Sequence, residues 1–183
     1  MGKQSRAALP HRVELNLRNL NQLFNTIDPS PFVEKDLDHD AEDFMVSWTR
    51  EFPLGEPVVL VIYLTEPPPQ TDLGPMIEQA VQNYFAYRAR LNRLDFRQLM
   101  KDGRHSLFIG VLFLAACLTA SQILVGQAPG RFLDVARESL TIAGWVAMWR
   151  PMEIFLYEWW PLRRRGRIYE KMSHMKVEVR KPG

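Results

Sequence analysis

Few residues in this chain invite a chemical reading. Arg150 and Glu153 stand three apart, and Tyr157 follows four later. That spacing puts a guanidinium, a carboxylate and a phenol on one face of an α-helix. Such a stripe could neutralise itself, meet polar groups of another subunit, or line a polar pathway. A second tempting feature is Asp36-Leu37-Asp38-His39-Asp40-Ala41-Glu42-Asp43. Alternating acids open a calcium loop, but that loop needs glycine at its sixth position and glutamate at its twelfth. Here those positions hold Ala41 and Ser47. The run reads instead as the acidic first turn of a helix, complementing the helix dipole.

The remaining chemistry is sparse. His11, His39, His105 and His174 are widely separated, with no pair at metal-ligand spacing. His105 borders an apolar segment and reads as a headgroup contact. Cys117 is the single cysteine and lies within that segment, which argues for an inert small residue rather than a redox centre. There is no P-loop, no Rossmann glycine pattern, no CxxC and no GxSxG. The expectation is therefore a non-enzyme with no catalytic residue, no metal and no cofactor. A net charge of +2 gives no support for a nucleic-acid partner.

The elements that would position these residues are dominated by one feature. Leu107 to Val125 runs 19 residues without a charge, which meets the length for a membrane-spanning helix. No apolar core of a secretory signal is present in MGKQSRAALPHRVEL, and Arg6 occupies the position where a myristoylation motif wants Ser or Thr. The span is therefore read as its own insertion signal. Basic residues flank the hydrophobic region on both sides: Arg88, Arg90, Arg93, Arg97, Lys101 and Arg104 before it, and Arg163, Arg164, Arg165, Arg167, Lys171, Lys176, Arg180 and Lys181 after it. The connecting stretch, roughly Gly126 to Ser139, offers only Arg131 and Arg137. The positive-inside bias then predicts both termini in the cytoplasm of a plasma (bacterial inner) membrane.

The return crossing is harder to draw. Leu140 to Trp149 is too short to cross alone, so a full span continues through Arg150-Pro151-Met152-Glu153 to Trp159-Trp160. In an antiparallel hairpin Arg150 would lie level with Leu114 to Ala116. The other drawing bends the chain at Pro151, lays Met152, Phe155, Leu156 and Trp159 flat in the interface, and starts the crossing near Phe132. Full spanning is the expectation. Both drawings make Tyr157, Trp159 and Trp160 an inner aromatic belt and Arg163-Arg164-Arg165 a lipid headgroup anchor. Small residues at four-residue spacing (Ala116 and Ala120, Cys117 and Ser121, then Ser139, Ala143 and Ala147) should let the two helices approach.

Outside the hairpin, Val13, Leu15 and Leu17 alternate with polar residues and predict a strand. Leu20, Leu23, Phe24 and Ile27 recur at helical spacing. Glu34 to Arg50 predicts a helix with Leu37, Ala41, Phe44, Met45 and Trp48 on its apolar face. Val58 to Leu64 predicts a strand buried on both faces, bounded by Pro57 and by Pro67-Pro68-Pro69. Asp72 should cap a helix running to about Met100, with Gly103 marking the approach to the membrane. Near the C-terminus, Val177 and Val179 alternate with charges and predict a third strand, paired with one of the first two.

The chain is thus expected to be an α+β membrane protein. Residues 1–104 form a small cytoplasmic α/β domain of three short strands and two or three helices. Residues 105–160 form an inserted two-helix transmembrane hairpin, with spans of about 106–126 and 139–160. Residues 161–183 form a basic helix and strand that complete the first domain. The functional expectation is an anchor, accessory or assembly subunit of a larger membrane complex, whose partners are the lipid bilayer and other subunits or a second copy. The alternative is a homo-oligomeric channel or transporter in which Arg150, Glu153 and Tyr157 line the pathway.

Overall fold

The structure, a computed structural model, describes residues 10–66, 73–125 and 131–181. The chain mixes helix and sheet, with three strands all parallel. In order along it come β1 (His11–Leu17), α1 (His39–Glu51), β2 (Val58–Leu64), α2 (Gly74–Val125), α3 (Arg131–Ala147), α4 (Trp149–Glu153), a π-helical turn (Ile154–Glu158), α5 (Trp159–Met172) and β3 (Lys176–Arg180). Two compact units emerge, one from residues 1–92 and 164–183, the other from residues 93–163.

In the first unit the sheet order is β1-β2-β3, with β2 central. Leu15 pairs with Ile62, and Leu60 pairs with Val177, so the late strand does lie against VVLVIYL. A parallel pair cannot be closed by a tight turn and needs a long crossover, which is why strands from distant parts of the chain meet here. Val13, Leu15, Leu60, Ile62, Leu64 and Val177 turn to one face and are buried there against Met45, Ile77, Val81, Phe85, Ile168 and Met172. Deleting any one of these large apolar side chains should cost about 2–5 kcal/mol.

Several expectations need correcting. β2 is fully buried on one face and only partly on the other: Val61 is buried there between its register partners Glu14 and Glu178, but Val59 and Tyr63 are half-buried. The helix expected over Leu20 to Ile27 is a single 3-10 turn, Leu20–Gln22, and Phe24 forms an antiparallel bridge to Leu37. α1 starts at His39, not Glu34, because the Asp38 side chain accepts the Asp40 N–H at 3.0 Å and caps it. Its buried face is Ala41, Glu42, Met45 and Thr49, whereas Phe44 and Trp48 are exposed. α2 passes through Gly103 without a break; one glycine costs a helix only about 1 kcal/mol. The expected cap, Asp72, lies outside the described residues.

The second unit departs further. Arg131 to Ser139, expected as part of a loop, is helical and opens α3. Residues 139–160 are not one α-helix: the chain breaks at Met148, restarts as α4, and passes through the π turn into α5. Pro151 supplies the cause. It has no N–H to give the carbonyl of Ala147 four residues back, and that carbonyl instead faces Gly110, where an added Cβ would lie 3.1 Å from it. Among the described residues α2 is the one helix long and apolar enough to cross a membrane, with an 18-residue window of mean hydropathy 2.0 that is 17% buried.

Candidate functional site

The second unit brings its polar groups together around Arg150. Its guanidinium donates to Glu153 at 3.1 Å and to Glu158 at 2.5 Å. The first contact follows from the i,i+3 spacing. The second does not, because eight residues of α-helix leave two side chains roughly 80° apart. The π turn closes that gap. One turn at 3.6 residues plus one wider π turn, closed by i→i+5 bonds, sums to about eight residues, so Glu158 comes round beneath Arg150.

The same reset moves Tyr157 off the stripe on which sequence periodicity puts it. Tyr157 is 71% exposed and makes no hydrogen bond among the described residues. The triad of one guanidinium and two carboxylates is thus Arg150, Glu153 and Glu158. Period-3.6 spacing puts Glu158 only near the stripe, next to Tyr157; the π turn that brings it onto Arg150 is announced by nothing in IFLYE.

Three close approaches set the register of α3 and α4 against α2. A Cβ on Gly144 would lie 2.8 Å from Leu114 Cδ1 and 3.2 Å from Cys117 Cβ. Gly110 meets Ala147, and a Cβ on Gly103 would lie 2.8 Å from Ile154 Cγ2. The contact stripe is therefore Gly103, Gly110, Leu114 and Cys117 against Gly144, Ala147 and Ile154. Cys117 and Ser121 are buried as small-residue spacing predicts, but Ala116, Ser139 and Ala143 are exposed. Arg150 consequently lies level with residues near Leu107, at the end of the apolar run, and not level with Leu114 to Ala116.

Further along, Trp159 donates its indole N–H to the Phe155 carbonyl at 2.8 Å and packs edge-on against Trp160. Arg163 sits over the Trp159 ring at 5.8 Å, a cation–π contact. Arg164 and Arg165 are exposed. Most of α2 beyond Leu107 and most of α3 turn large apolar side chains outward, among them Phe108, Leu112, Ile142, Trp145 and Val146, and Trp149 at the start of α4 does the same.

The first unit holds a polar centre that sequence reasoning missed. Glu42 is 3% exposed. Its carboxylate accepts from the Tyr84 hydroxyl at 2.6 Å, from Arg88 Nε at 2.8 Å and from the Tyr169 hydroxyl at 3.3 Å. Arg88 also lies 5.5 Å over the Tyr169 ring. Glu42 was expected to serve the helix dipole, but it sits one residue from Ala41 and three from Met45, on the core face. A charge inside that stripe was the available signal.

Burial pushes the Tyr84 hydroxyl's pKa up, and the neighbouring Glu42 carboxylate adds to the effect. For Arg88, burial works against the charge, but the Glu42 carboxylate outweighs it and the pKa is raised. The network joins α1, α2 and α5 through a buried carboxylate, so it reads as a lock on the fold. Among the described residues no group of three or more His, Cys, Asp or Glu is placed to hold a metal ion.

Comparison with known families, curated proteins and solved structures finds no match for this chain.

Proposed function

We propose that the chain is a non-enzymatic integral membrane protein that serves as an anchor, accessory or assembly subunit of a larger membrane complex. The observation that carries this reading is an inversion of polarity between the units. The first has an ordinary apolar core, whereas the second turns Phe108, Leu112, Ile142, Trp145 and Trp149 outward. A soluble unit does not present so continuous an apolar surface, while a lipid-embedded one does. α2 is read as crossing over roughly Leu107 to Val125, with α3 beside it as the second arm of a transmembrane hairpin. The flanking arginines favour cytoplasmic termini in a plasma membrane of the bacterial inner-membrane type.

In this reading Arg150, Glu153 and Glu158 lie at the inner boundary, where water reaches them, and Trp159, Trp160 and Arg163 to Arg165 hold the headgroups. That position speaks against the channel alternative, in which Arg150 and Glu153 line a pathway through the bilayer. Apolar residues at Trp145 and Trp149, one turn apart, offer another subunit an aromatic face. Purification of the tagged protein from native membranes in mild detergent tests the proposal. Stoichiometric companions are expected. A monodisperse monomer, or a symmetric oligomer that carries ion flux in liposomes abolished by Arg150→Ala, would overturn it.

A further inference from the structure

The two outer edges of the sheet are finished differently. At β3 the outward N–H of Val177 donates to the Glu78 carboxylate at 3.2 Å, and Gln82 donates to the Met175 carbonyl at 3.0 Å. Side chains of α2 thus occupy the positions a further strand would use. Covering an edge in this way is how folded proteins prevent unwanted strand pairing.

Among the described residues nothing covers β1 in this way. The His11 N–H bonds to Pro57, and the Leu17 carbonyl accepts from Thr65, so residues 11, 13, 15 and 17 turn their backbone groups toward β2. Strand geometry then turns the backbone groups of Arg12, Glu14 and Asn16 outward, and these have no partner among the described residues. Against that edge runs a shallow groove of about 630 Å³, bordered by Glu14, Asn16, Asp38, Asp40, Ala41 and Phe44. Its floor is apolar at Ala41 and Phe44, and its charged rim is entirely acidic.

We propose that this edge binds a basic, extended segment of a partner protein, which adds to the sheet beside β1. The outward backbone groups of Glu14 and Asn16 supply the ladder; Asp38 and Asp40, on the α1 side of the sheet, receive cationic side chains whose methylenes lie along Phe44 (38% exposed), while Glu14 stands on the opposite face beside Val61. Strand addition draws affinity from main-chain hydrogen bonds and specificity from alternate side chains, and this edge offers both. A second copy of the chain is a poorer occupant, because it would bring its own Asp38 and Asp40 to face these. The inference rests on the reading of the chain as a subunit that holds other proteins, and gives its α/β unit a means of doing so.

The test is a titration of the purified full-length protein in detergent with a short fluorescent peptide alternating lysine and valine, followed by anisotropy. Binding is expected, and loss of it when alternate peptide nitrogens are methylated, since that removes the ladder hydrogen bonds but leaves the charge. Asp38→Asn with Asp40→Asn keeps the helix cap and should weaken binding about twofold to thirtyfold, the range of two exposed ion pairs. Asn16→Pro deletes one outward N–H at an edge position that tolerates proline and should abolish it. Equal binding of the methylated peptide, equal binding of a glutamate–valine counterpart, or no binding at millimolar peptide would each overturn the proposal. So would a concentration-dependent dimer that Asn16→Pro dissolves. The methylated peptide is tested on the unaltered protein, so the result does not depend on any variant folding. Co-purification can fail while this titration succeeds, and the reverse, which separates the two readings.

Discussion

The network around Glu42 makes an asymmetric prediction. Its carboxylate side chain is 4% exposed and that of Arg88 is 36% exposed, so the two partners differ in what each leaves behind. Arg88→Met strands a buried carboxylate. Breaking a buried pair from one side costs about 3–5 kcal/mol, and the Tyr84 and Tyr169 hydroxyls, which still donate, hold the loss near the lower end. Glu42→Gln leaves an arginine that water already reaches and keeps an acceptor for it, so about 1 kcal/mol is expected. Hydrogen exchange of the β2 amides in the intact protein measures the difference, provided exchange follows the opening equilibrium. At 1.36 kcal/mol per decade, Arg88→Met should speed exchange about a hundredfold and Glu42→Gln less than about tenfold. The double variant, with no stranded charge, should exchange more slowly than Arg88→Met alone. If it does not, or if the two single variants match, the buried carboxylate is not what the network stabilises.

Three further outcomes follow from the geometry. Gly144→Leu cannot be accommodated beside Leu114 and Cys117, so maleimide labelling of Cys117, which is buried, should rise at least about tenfold in the variant; an unchanged rate would show that α3 does not pack there. Tyr84 has its pKa raised in the fold above its ordinary value of about 10. Its contribution is therefore complete below pH 10 and is lost as pH rises beyond it, because the unfolded chain releases a proton that the folded one retains; denaturation against pH should show this loss, and Tyr84→Phe should remove it. Deleting Leu156 should convert the π turn to regular α-helix and carry Glu158 away from Arg150, so that a double-mutant cycle between those two residues, measurable in the parent, vanishes in the deletion.

Much of the α/β unit was legible because its signals are local. Alternation in VELNL and KVEVR and the apolar run VVLVIYL mark strands whatever surrounds them. Pairing of the last strand followed from a simple need, since a strand requires a neighbour. What escaped was set by tertiary context. Glu42 reads as one acid among many until the face it shares with Ala41 and Met45 is known. Glu158 replaces Tyr157 beside Arg150 through a π turn that no residue type signals. Gly110 and Gly144 carry the helix contact that alanine spacing was expected to carry, because Pro151 shifted the register by freeing the Ala147 carbonyl.

The position of β3 also sets an order of events during synthesis. β2 emerges from the ribosome with β1 as its only strand neighbour, and the strand that closes its other edge, with Val177 opposite Leu60, is made after the whole second unit. At about 5–20 residues per second that interval is on the order of ten seconds. Throughout it, seven consecutive apolar residues with strong strand preference stand with one edge open, the composition most prone to pairing with other chains. The α/β unit therefore matures only after the apolar helices have been made, and a nascent chain halted before Lys176 is one that needs protection.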